Sequence, residues 1–281
     1  MMTVQRLTAF TTDPAGGNPA GVVIGSRLPP EDEMQRTAAE VGYSETAFLA
    51  PIPEEHRTYR VRYYSPLMEV PFCGHATIAA GVSLAQRDGP GRLRLVTNAG
   101  PVTVDAEYDD AGRLFATLSS PPPSVDPVDD RVVSEVLAAL DWSSADLDHR
   151  LPPARASAGA SHLILGVRHR ARLAQLEYDF DRLRSLMMQA GLVTVHLVWQ
   201  EGTLRYHARD PFPVGGVVED PATGAAAAAF GAYLRHFALV APPCRITILQ
   251  GEDMGRPSTL LVDLIPGQES VRVSGYAVPV P

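Results

Sequence analysis

Two segments of the chain place a glycine at the start of a helix built from small residues. They are residues 69–84, EVPFCGHATIAAGVSL, and residues 219–234, EDPATGAAAAAFGAYL. The first turn of a helix presents backbone N–H groups that lack intrahelical partners, together with the positive end of the helix dipole. Gly74 and Gly224 also let a ligand approach the backbone closely. The two positions could therefore bind a carboxylate or a developing oxyanion.

The same two segments indicate an internal duplication. They align without gaps at a constant offset of 150, and Glu, Pro, Gly, two Ala, Gly and Leu coincide. An Arg-Tyr pair precedes each one, Arg62-Tyr63 and Arg205-Tyr206. Self-similarity at a fixed offset is typical of repeated structural units, so we expect two similar domains related by a pseudo-two-fold axis.

The helices in these repeats should be buried. Alanine favours helix, and a helix that is apolar on all sides lies inside a protein. Glycine and alanine also make a thin cylinder that strands can wrap closely. We therefore expect strands around each helix, and in a two-fold pair both helix N-termini can meet in the cleft between the domains.

The residues that the chain lacks exclude several kinds of chemistry. No lysine occurs, and all 24 basic residues are arginines, so neither a lysine Schiff base nor a phosphate-binding P-loop can form. Cys73 and Cys244 form no disulfide framework and no CxxC metal motif. The eight histidines show no paired metal-ligand spacing. We expect a catalyst without cofactor or metal.

Charge and hydropathy limit the partners. A net charge of −8 and a pI near 5.5 argue against a nucleic-acid surface. No stretch approaches the roughly 18 apolar residues of a membrane span, and the N-terminus has no apolar signal region. A cytoplasmic protein that acts on a small molecule is the expectation, with no nucleic-acid or membrane partner.

The order of strand and helix signals predicts an α/β fold with two domains. Residues 1–120 alternate strands with helices, and residues 129–267 repeat that order. Residues 121–128 lie in the proline-rich stretch SSPPPSVDPVDD, which predicts a stiff linker. A last strand at about 268–281 could return to the first domain.

Five motifs resemble one known family. DPAGGNPAGVV, YSETAF, EVPFCGHAT, EDPATG and QGEDMGRPS are similar to those of the PhzF-like phenazine-biosynthesis isomerases, which share their fold with diaminopimelate epimerase. The resemblance implies two α/β domains, each a curved mixed sheet around a central helix. It further implies an active site in the interdomain cleft, no cofactor and a homodimer.

The resemblance also assigns roles to individual residues. The acid/base glutamate of the family falls on Glu45, its cleft histidine on His75 and its cleft aspartate on Asp220. The substrate-binding positions that we expect are Asn18, Ser44, Gly74, Thr223, Gly224 and Ala225.

Two positions depart from the pattern. Ala225 stands where the family usually has serine, so one substrate-contacting hydroxyl is missing. Related epimerases use two facing cysteines. Cys73 holds the place of the first, but Thr223 holds the second, which argues against racemisation by two thiols.

Structural alternatives exist for each of these residues. Glu45 could be an exposed charge at a strand end, and His75 a hydrogen-bonded core residue. Asp220 followed by Pro221 fits an N-cap with proline at the first helical position.

Other positions have simpler readings as well. Thr223 could cap the alanine helix, Asn18 could serve only a turn, and Cys73 could be a small buried side chain. Gly81 and Gly231 would serve close packing of helix against strand.

The resulting functional hypothesis is a cofactor-independent isomerase for a small carboxylated substrate. Glu45 would move a proton between carbon atoms, and His75 and Asp220 would orient the substrate or shuttle protons. One alternative is a racemase or epimerase on the same scaffold. The other is a binding protein that kept the cleft and lost the chemistry.

Overall fold

The computed structural model describes residues 3–281, which form two compact units. Unit 1 comprises the described residues up to Ser119 together with Ser274–Pro281, and unit 2 comprises Ser120–Val273. The last strand begins at Arg272, and its residues from Ser274 onward belong to unit 1.

Unit 1 contains a sheet that closes on itself around one helix. Its strands are β1 (Gln5–Ala9), β2 (Asn18–Ile24), β3 (Glu45–Pro51), β4 (Thr58–Tyr64), β5 (Glu69–Val70), β6 (Gly91–Thr97), β7 (Gly100–Tyr108) and β8 (Leu114–Ser119). Its helices are α1 (Glu31–Val41) and α2 (Gly74–Asp88).

Neighbouring strands of unit 1 follow the order β1–β2–β3–β4–β6–β7–β8, with β2–β3 and β4–β6 parallel and the others antiparallel. The last strand of the chain pairs with both β1 and β8 and completes the ring.

Unit 2 repeats this strand order. Its elements are β9 (Ser124–Asp126), α3 (Asp130–Ala139), β10 (Ala154–Ser157), β11 (Ser161–Gly166), α4 (Arg170–Ala174), α5 (Phe180–Ala190), β12 (Thr194–Gly202), β13 (Arg205–Pro211), β14 (Glu219–Asp220), α6 (Gly224–His236), β15 (Cys244–Gln250) and β16 (Ser258–Leu264); the final strand of the chain is β17 (Arg272–Pro279).

The run β10–β11–β12–β13–β15–β16 alternates antiparallel and parallel pairs in the same sequence as β1–β2–β3–β4–β6–β7. The mixed α/β fold class predicted from the sequence is confirmed.

The two small-residue helices form the cores of their units. Every residue of α2 from His75 to Ala85 is buried, and α6 packs against β10, β11 and β16. A Cβ atom at Gly81 would lie 2.7 Å from Val104, and one at Gly231 would lie 2.7 Å from Val262. Since both distances are shorter than any normal contact, the predicted packing role of these glycines is confirmed.

The remaining helices cover the outer faces of the sheets. In unit 1, Met34 and Ala38 of α1 pack on Phe48 of β3. In unit 2, α3 and α5 bury Val136 and Met187 against the strands. No helix within residues 3–281 is long and apolar enough to cross a membrane.

The predicted linker differs from the structure at its centre. Ser124–Asp126 is a strand, β9, and pairs antiparallel with residues 155–157 of β10. Three of the prolines that suggested a stiff connection precede this strand and Pro127 follows it, and proline is compatible with extended backbone.

The arginine of unit 2 that corresponds to Arg62 differs from the one that the sequence indicated. In unit 1, Arg62 forms a bidentate ion pair with Glu69, with Nε and Nη2 each 2.6 Å from a carboxylate oxygen. In unit 2 the same pair is made by Arg209 and Glu219. The counterpart of Arg62 is therefore Arg209 and not Arg205, because the loop between strand and motif differs in length between the units. The glutamate that opens each repeat holds the segment to the preceding strand.

Candidate active site

Glu45 lies at the start of β3, beside Ala20 of the parallel neighbour β2. Its side chain is only 15% exposed. Burial raises the pKa of the Glu45 carboxyl above its ordinary value, and hydrogen bonds from Ser44 and Cys73 offset part of that rise. The protonated form of this carboxyl group therefore persists to a higher pH than that of a solvent-exposed glutamate. The reading of Glu45 as an exposed strand-end charge is wrong.

His75 is the second residue of α2, and both of its ring nitrogens are engaged. Nδ1 lies 3.2 Å from the amide nitrogen of Asn18, and Nε2 lies 3.2 Å from Ser44 Oγ and 3.4 Å from Glu45 Oε2. An amide nitrogen can only donate, so in this arrangement Nδ1 accepts and a neutral ring carries its proton on Nε2, toward Glu45. The imidazole is held in one orientation against the carboxyl group.

Cys73 completes this group of side chains. Its Sγ lies 3.5 Å from Glu45 Oε2 and 3.3 Å from His75 Nδ1. Cys73 occupies the N-cap position of α2, and no side chain caps this helix. The sulfur is buried, as predicted, but it is also in polar contact with both Glu45 and His75.

Asp220 belongs to a second group of residues, in unit 2. It lies in β14, and its Oδ2 accepts a 2.6 Å hydrogen bond from Thr223 Oγ1. Helix α6 begins at Gly224 with Thr223 as N-cap, and no side chain caps it. The predicted N-cap at Asp220, with Pro221 as first helical residue, is therefore wrong, because pairing of β14 with β13 keeps Asp220 extended and the helix begins only at Gly224. Capping by Thr223 is also wrong, since its hydroxyl bonds to Asp220 instead.

Gln250 is a residue of this second group that the sequence did not reveal. Its side chain donates to the Asp220 carbonyl at 2.8 Å and to Thr223 Oγ1 at 3.0 Å, and accepts from the Thr223 backbone N–H at 3.1 Å. The next residue, Gly251, has a φ of +76°, and a Cβ there would lie 2.8 Å from the Pro221 carbonyl. Gln250 and Gly251 therefore fix the turn that holds Asp220. In the sequence, the only signal for this role is that both residues lie in QGEDMGRPS, one of the motifs that resemble the family.

Unit 2 carries different chemistry at the position that Glu45 holds in unit 1. By strand register this position belongs to Thr194, the first residue of β12, which hydrogen bonds to His162 at 2.8 Å. Burial lowers the pKa of His162 to about 4, so its ring is neutral. Deeper along the same strand, His196 Nδ1 lies 2.8 Å from Asp210 Oδ1, and both side chains are fully buried. The two units thus share their strand pairing but differ at this position, with a carboxyl group in unit 1 and a threonine in unit 2.

The predicted site residues therefore fall into two groups. Asn18, Ser44, Glu45, Gly74 and His75 come together in unit 1, where Asn18 orients His75 and is not merely a turn residue. Asp220, Thr223, Gly224 and Ala225 lie together in unit 2. That the two groups share one cleft stays a prediction.

One cluster has the donor atoms of a metal site. Glu45, Cys73 and His75 each offer a ligand atom, and these atoms lie within 4.8 Å of one another. The cluster combines a carboxylate oxygen, a thiolate sulfur and an imidazole nitrogen.

Comparison with known proteins agrees with this architecture. The family model described as "Phenazine biosynthesis-like protein" matches residues 7–281, and the chain belongs to this family. An uncharacterized isomerase of Deinococcus radiodurans is 34% identical, over 99% of this chain and 92% of its own length. The trans-2,3-dihydro-3-hydroxyanthranilate isomerase of Pseudomonas chlororaphis is 30% identical, over 90% of this chain and 87% of its own. Isomerase is thus the enzyme class of this chain.

Solved structures show the same fold. A predicted epimerase from Pseudomonas aeruginosa superposes with a TM-score of 0.87 at 26% identity, covering 100% of this chain and 98% of that one. The fold extends to a hydroxyproline epimerase from Agrobacterium vitis, with a TM-score of 0.66 at 14% identity over 99% and 89% of the two chains.

Proposed function

We propose that this protein is a cofactor-independent isomerase that moves a proton between carbon atoms of a small carboxylated substrate, with Glu45 as the general acid and base. The observation that carries the proposal is the Glu45 carboxyl, buried and in contact with His75 and Cys73. Burial raises its pKa toward the range in which one group can both accept and release a proton.

The substrate carboxylate, or the oxyanion that forms as a carbon loses its proton, would bind to backbone N–H groups at a helix start. Gly74 of α2 and Gly224 of α6 both lie at N-termini without a side-chain cap. Their amides are therefore not blocked by a capping oxygen of the N-cap residue, and the helix dipole favours an anion there. His75 would hold the substrate or pass on the proton, and Asp220 would serve the same purpose in unit 2.

The substrate class follows from the relative in Pseudomonas chlororaphis. Its substrate, trans-2,3-dihydro-3-hydroxyanthranilate, carries a carboxylate on a ring whose C–H bonds can be made acidic by conjugation. We propose a compound of that chemical class. Ala225, half-buried at the second position of α6, provides no hydroxyl to such a substrate, so the substrate need not be the same one.

The test is isomerisation in deuterated water. Candidate carboxylated dihydro-aromatic substrates, starting with trans-2,3-dihydro-3-hydroxyanthranilate, are incubated with the protein, and the product is examined by mass spectrometry. A positional isomer that has gained one mass unit supports the proposal. Exhaustive chelation should leave the rate unchanged or raise it. A requirement for an added cofactor or metal would contradict the mechanism.

A racemase or epimerase is the second candidate, favoured by the likeness to the predicted epimerase of Pseudomonas aeruginosa. Such an enzyme needs acid/base groups on opposite faces of one stereocentre, so Glu45 would have to be paired with a group on the far side of the substrate. Deuterium would then enter at an existing stereocentre, and the product would be a stereoisomer of the substrate. Chiral chromatography of the same incubation separates the two outcomes. We also propose that the protein works as a homodimer in the cytoplasm, and sedimentation equilibrium tests the dimer.

A further inference from the structure

We propose that Glu45, Cys73 and His75 form a binding site for a thiophilic divalent cation of the Zn²⁺ class, and that occupation of this site switches off proton transfer. Binding of the cation rests only on the geometry of unit 1. Its effect on catalysis rests in addition on the proposed function of Glu45.

The distances among the three ligand atoms match a tetrahedral site. Zinc binds sulfur at about 2.3 Å and nitrogen or oxygen at about 2.0 Å, so tetrahedral angles place sulfur about 3.5 Å from the other two ligands and nitrogen about 3.3 Å from oxygen. The observed separations are 3.5 Å for Cys73 Sγ to Glu45 Oε2 and 3.4 Å for His75 Nε2 to the same oxygen. Cys73 Sγ to His75 Nε2 is 3.8 Å. Cys73 Sγ lies nearer to His75 Nδ1, at 3.3 Å, than to Nε2, so a cation in line with the Nε2 lone pair requires the imidazole to turn until Nε2 faces the sulfur.

Charge also balances at this site. A thiolate and a carboxylate together neutralise a divalent cation, and the imidazole adds a neutral ligand. The N-terminus of α2 disfavours a bare cation but favours the thiolate of Cys73 at its N-cap position. The protons of the thiol and of the carboxyl leave when the metal binds, so affinity should fall as the pH is lowered.

Asn18 can support the histidine as a ligand. When Nε2 binds a cation, the ring proton moves to Nδ1, which lies 3.2 Å from the Asn18 amide nitrogen. Rotation of the amide by half a turn would bring the Asn18 oxygen to that position as an acceptor. Metal-bound histidines usually donate their second N–H to such an oxygen.

Three protein ligands leave a fourth position open, as in catalytic zinc sites. Here the same ligands include the proposed proton carrier. A bound cation would occupy the Glu45 oxygen and the Cys73 sulfur, and no group of the cluster could then exchange protons with a carbon atom. Zinc should therefore inhibit the isomerase reversibly, and removal of zinc should restore the rate.

The binding test uses Co²⁺ as a spectroscopic probe of the reduced protein. A cysteine thiolate bound to Co²⁺ gives a charge-transfer band, and tetrahedral coordination gives intense visible absorption. We expect one equivalent of Co²⁺ to produce both signals, and Zn²⁺ to abolish them by displacement. The chain has two cysteines, which provides a matched pair of variants: Cys73→Ser should lose the thiolate band, and Cys244→Ser should keep it.

A third variant covers the case in which Cys73→Ser does not fold. Glu45→Gln keeps the thiolate ligand and should keep the band, but with at least about 100-fold weaker affinity, because loss of even an outer-shell partner costs 10–100-fold. Absence of the band from the wild-type protein at millimolar Co²⁺ would overturn the proposal, and so would a band that Cys244→Ser removes. An unchanged affinity of Glu45→Gln for Co²⁺ would also overturn the proposal.

The inhibition test is separate from the binding test. A wild-type protein that binds Co²⁺ through Cys73 but isomerises none of the candidate substrates keeps the metal site and refutes the proposed function. An active protein that stays fully active with one equivalent of Zn²⁺ bound refutes the switch. Activity lost with zinc and regained with a chelator supports both.

Discussion

Removal of one partner of the buried ion pair between Arg209 and Glu219 should be one of the most destabilising single changes in unit 2. The two side chains are 10% and 4% exposed, and Arg209 also donates to the carbonyls of Leu173 and Ala174. Arg209→Met keeps most of the apolar stem and removes the charge. Glu219 is then left as a buried carboxylate without its guanidinium partner.

The expected loss follows from this burial. Removing one partner of a buried ion pair typically costs about 3–5 kcal/mol, because the remaining charge is desolvated and unpaired. Unit 2 offers a matched control in Arg245 and Asp263, which form a bidentate pair at 2.7 and 2.9 Å. Arg245 is 57% exposed, so Arg245→Met should cost no more than about 1 kcal/mol. The double variant Arg209→Met/Glu219→Leu should recover most of the loss, since it leaves no buried charge.

Urea unfolding followed by tryptophan fluorescence measures this effect. The chain has two tryptophans, Trp142 and Trp199, and both lie in unit 2, so their fluorescence reports on that unit. If Arg209→Met and Arg245→Met lower the free energy of unfolding equally, burial of the ion pair is not the cause of the loss. A double variant that is less stable than Arg209→Met would refute the assignment of the loss to an unpaired carboxylate.

Three further predictions concern packing, the turn at Asp220 and the acid/base group. Gly231→Ala places a Cβ 2.7 Å from Val262 and should destabilise unit 2 by about 1–3 kcal/mol; tryptophan fluorescence in urea with no change would contradict the close packing. Gln250→Leu removes three hydrogen bonds of the turn, those to the Asp220 carbonyl, to Thr223 Oγ1 and from the Thr223 N–H, and should cost about 1–3 kcal/mol in the same assay, whereas a neutral effect would mean that the turn is held by other contacts. Glu45→Gln should change stability little at pH 4. Above pH 4.5, the ordinary pKa of the carboxyl, it should stabilise the protein increasingly. The reason is that burial raises the pKa of Glu45 in the native state, so the charged carboxylate lowers native stability and its removal relieves that cost. Urea unfolding by circular dichroism checks this, and a difference that is constant with pH would contradict it.

The sequence was sufficient for the fold wherever the signal is local. Helix α2 was predicted because the residues from Gly74 onward are small and apolar on all sides, which is typical of a buried helix. It is buried as expected. The packing glycines, Gly81 and Gly231, follow from the same reasoning. The duplicated motif predicted the repeat because both copies share their spacing.

The rest depends on contacts between residues far apart in sequence. Asp220 and Pro221 look like a helix start locally, but pairing with β13 keeps Asp220 extended, and the helix begins at Gly224. The partnership of Arg62 and Arg209 with the two repeated glutamates is set by strand register, which a constant offset in the sequence does not reveal. Gln250 reaches the Asp220 turn from a different strand, so nothing near the EDPATG motif indicates it.

The site residues also divide into those that the sequence predicted and those that depend on contacts between distant segments. Glu45 and His75 were predicted as catalytic residues and Ser44 as a substrate-binding position, and the structure brings these three together. The contact of Cys73 with both Glu45 and His75 was not predicted, because the sequence gives no distance between β3 and the start of α2. That contact changes the interpretation of Cys73 from a small core residue to a member of the site.

The central claim is that Glu45 carries the proton, and one measurement tests it most directly. Folded wild-type and Glu45→Gln proteins are each incubated with trans-2,3-dihydro-3-hydroxyanthranilate, or with whichever carboxylated substrate proves active, in deuterated water. Substrate affinity and deuterium incorporation are measured on the same samples. General acid–base catalysis contributes about 10²–10⁴-fold, so incorporation should fall by at least about 100-fold, while affinity changes far less because backbone N–H groups bind the carboxylate. Deuterium incorporation by Glu45→Gln at the wild-type rate would contradict the claim and move the role to His75 or Asp220.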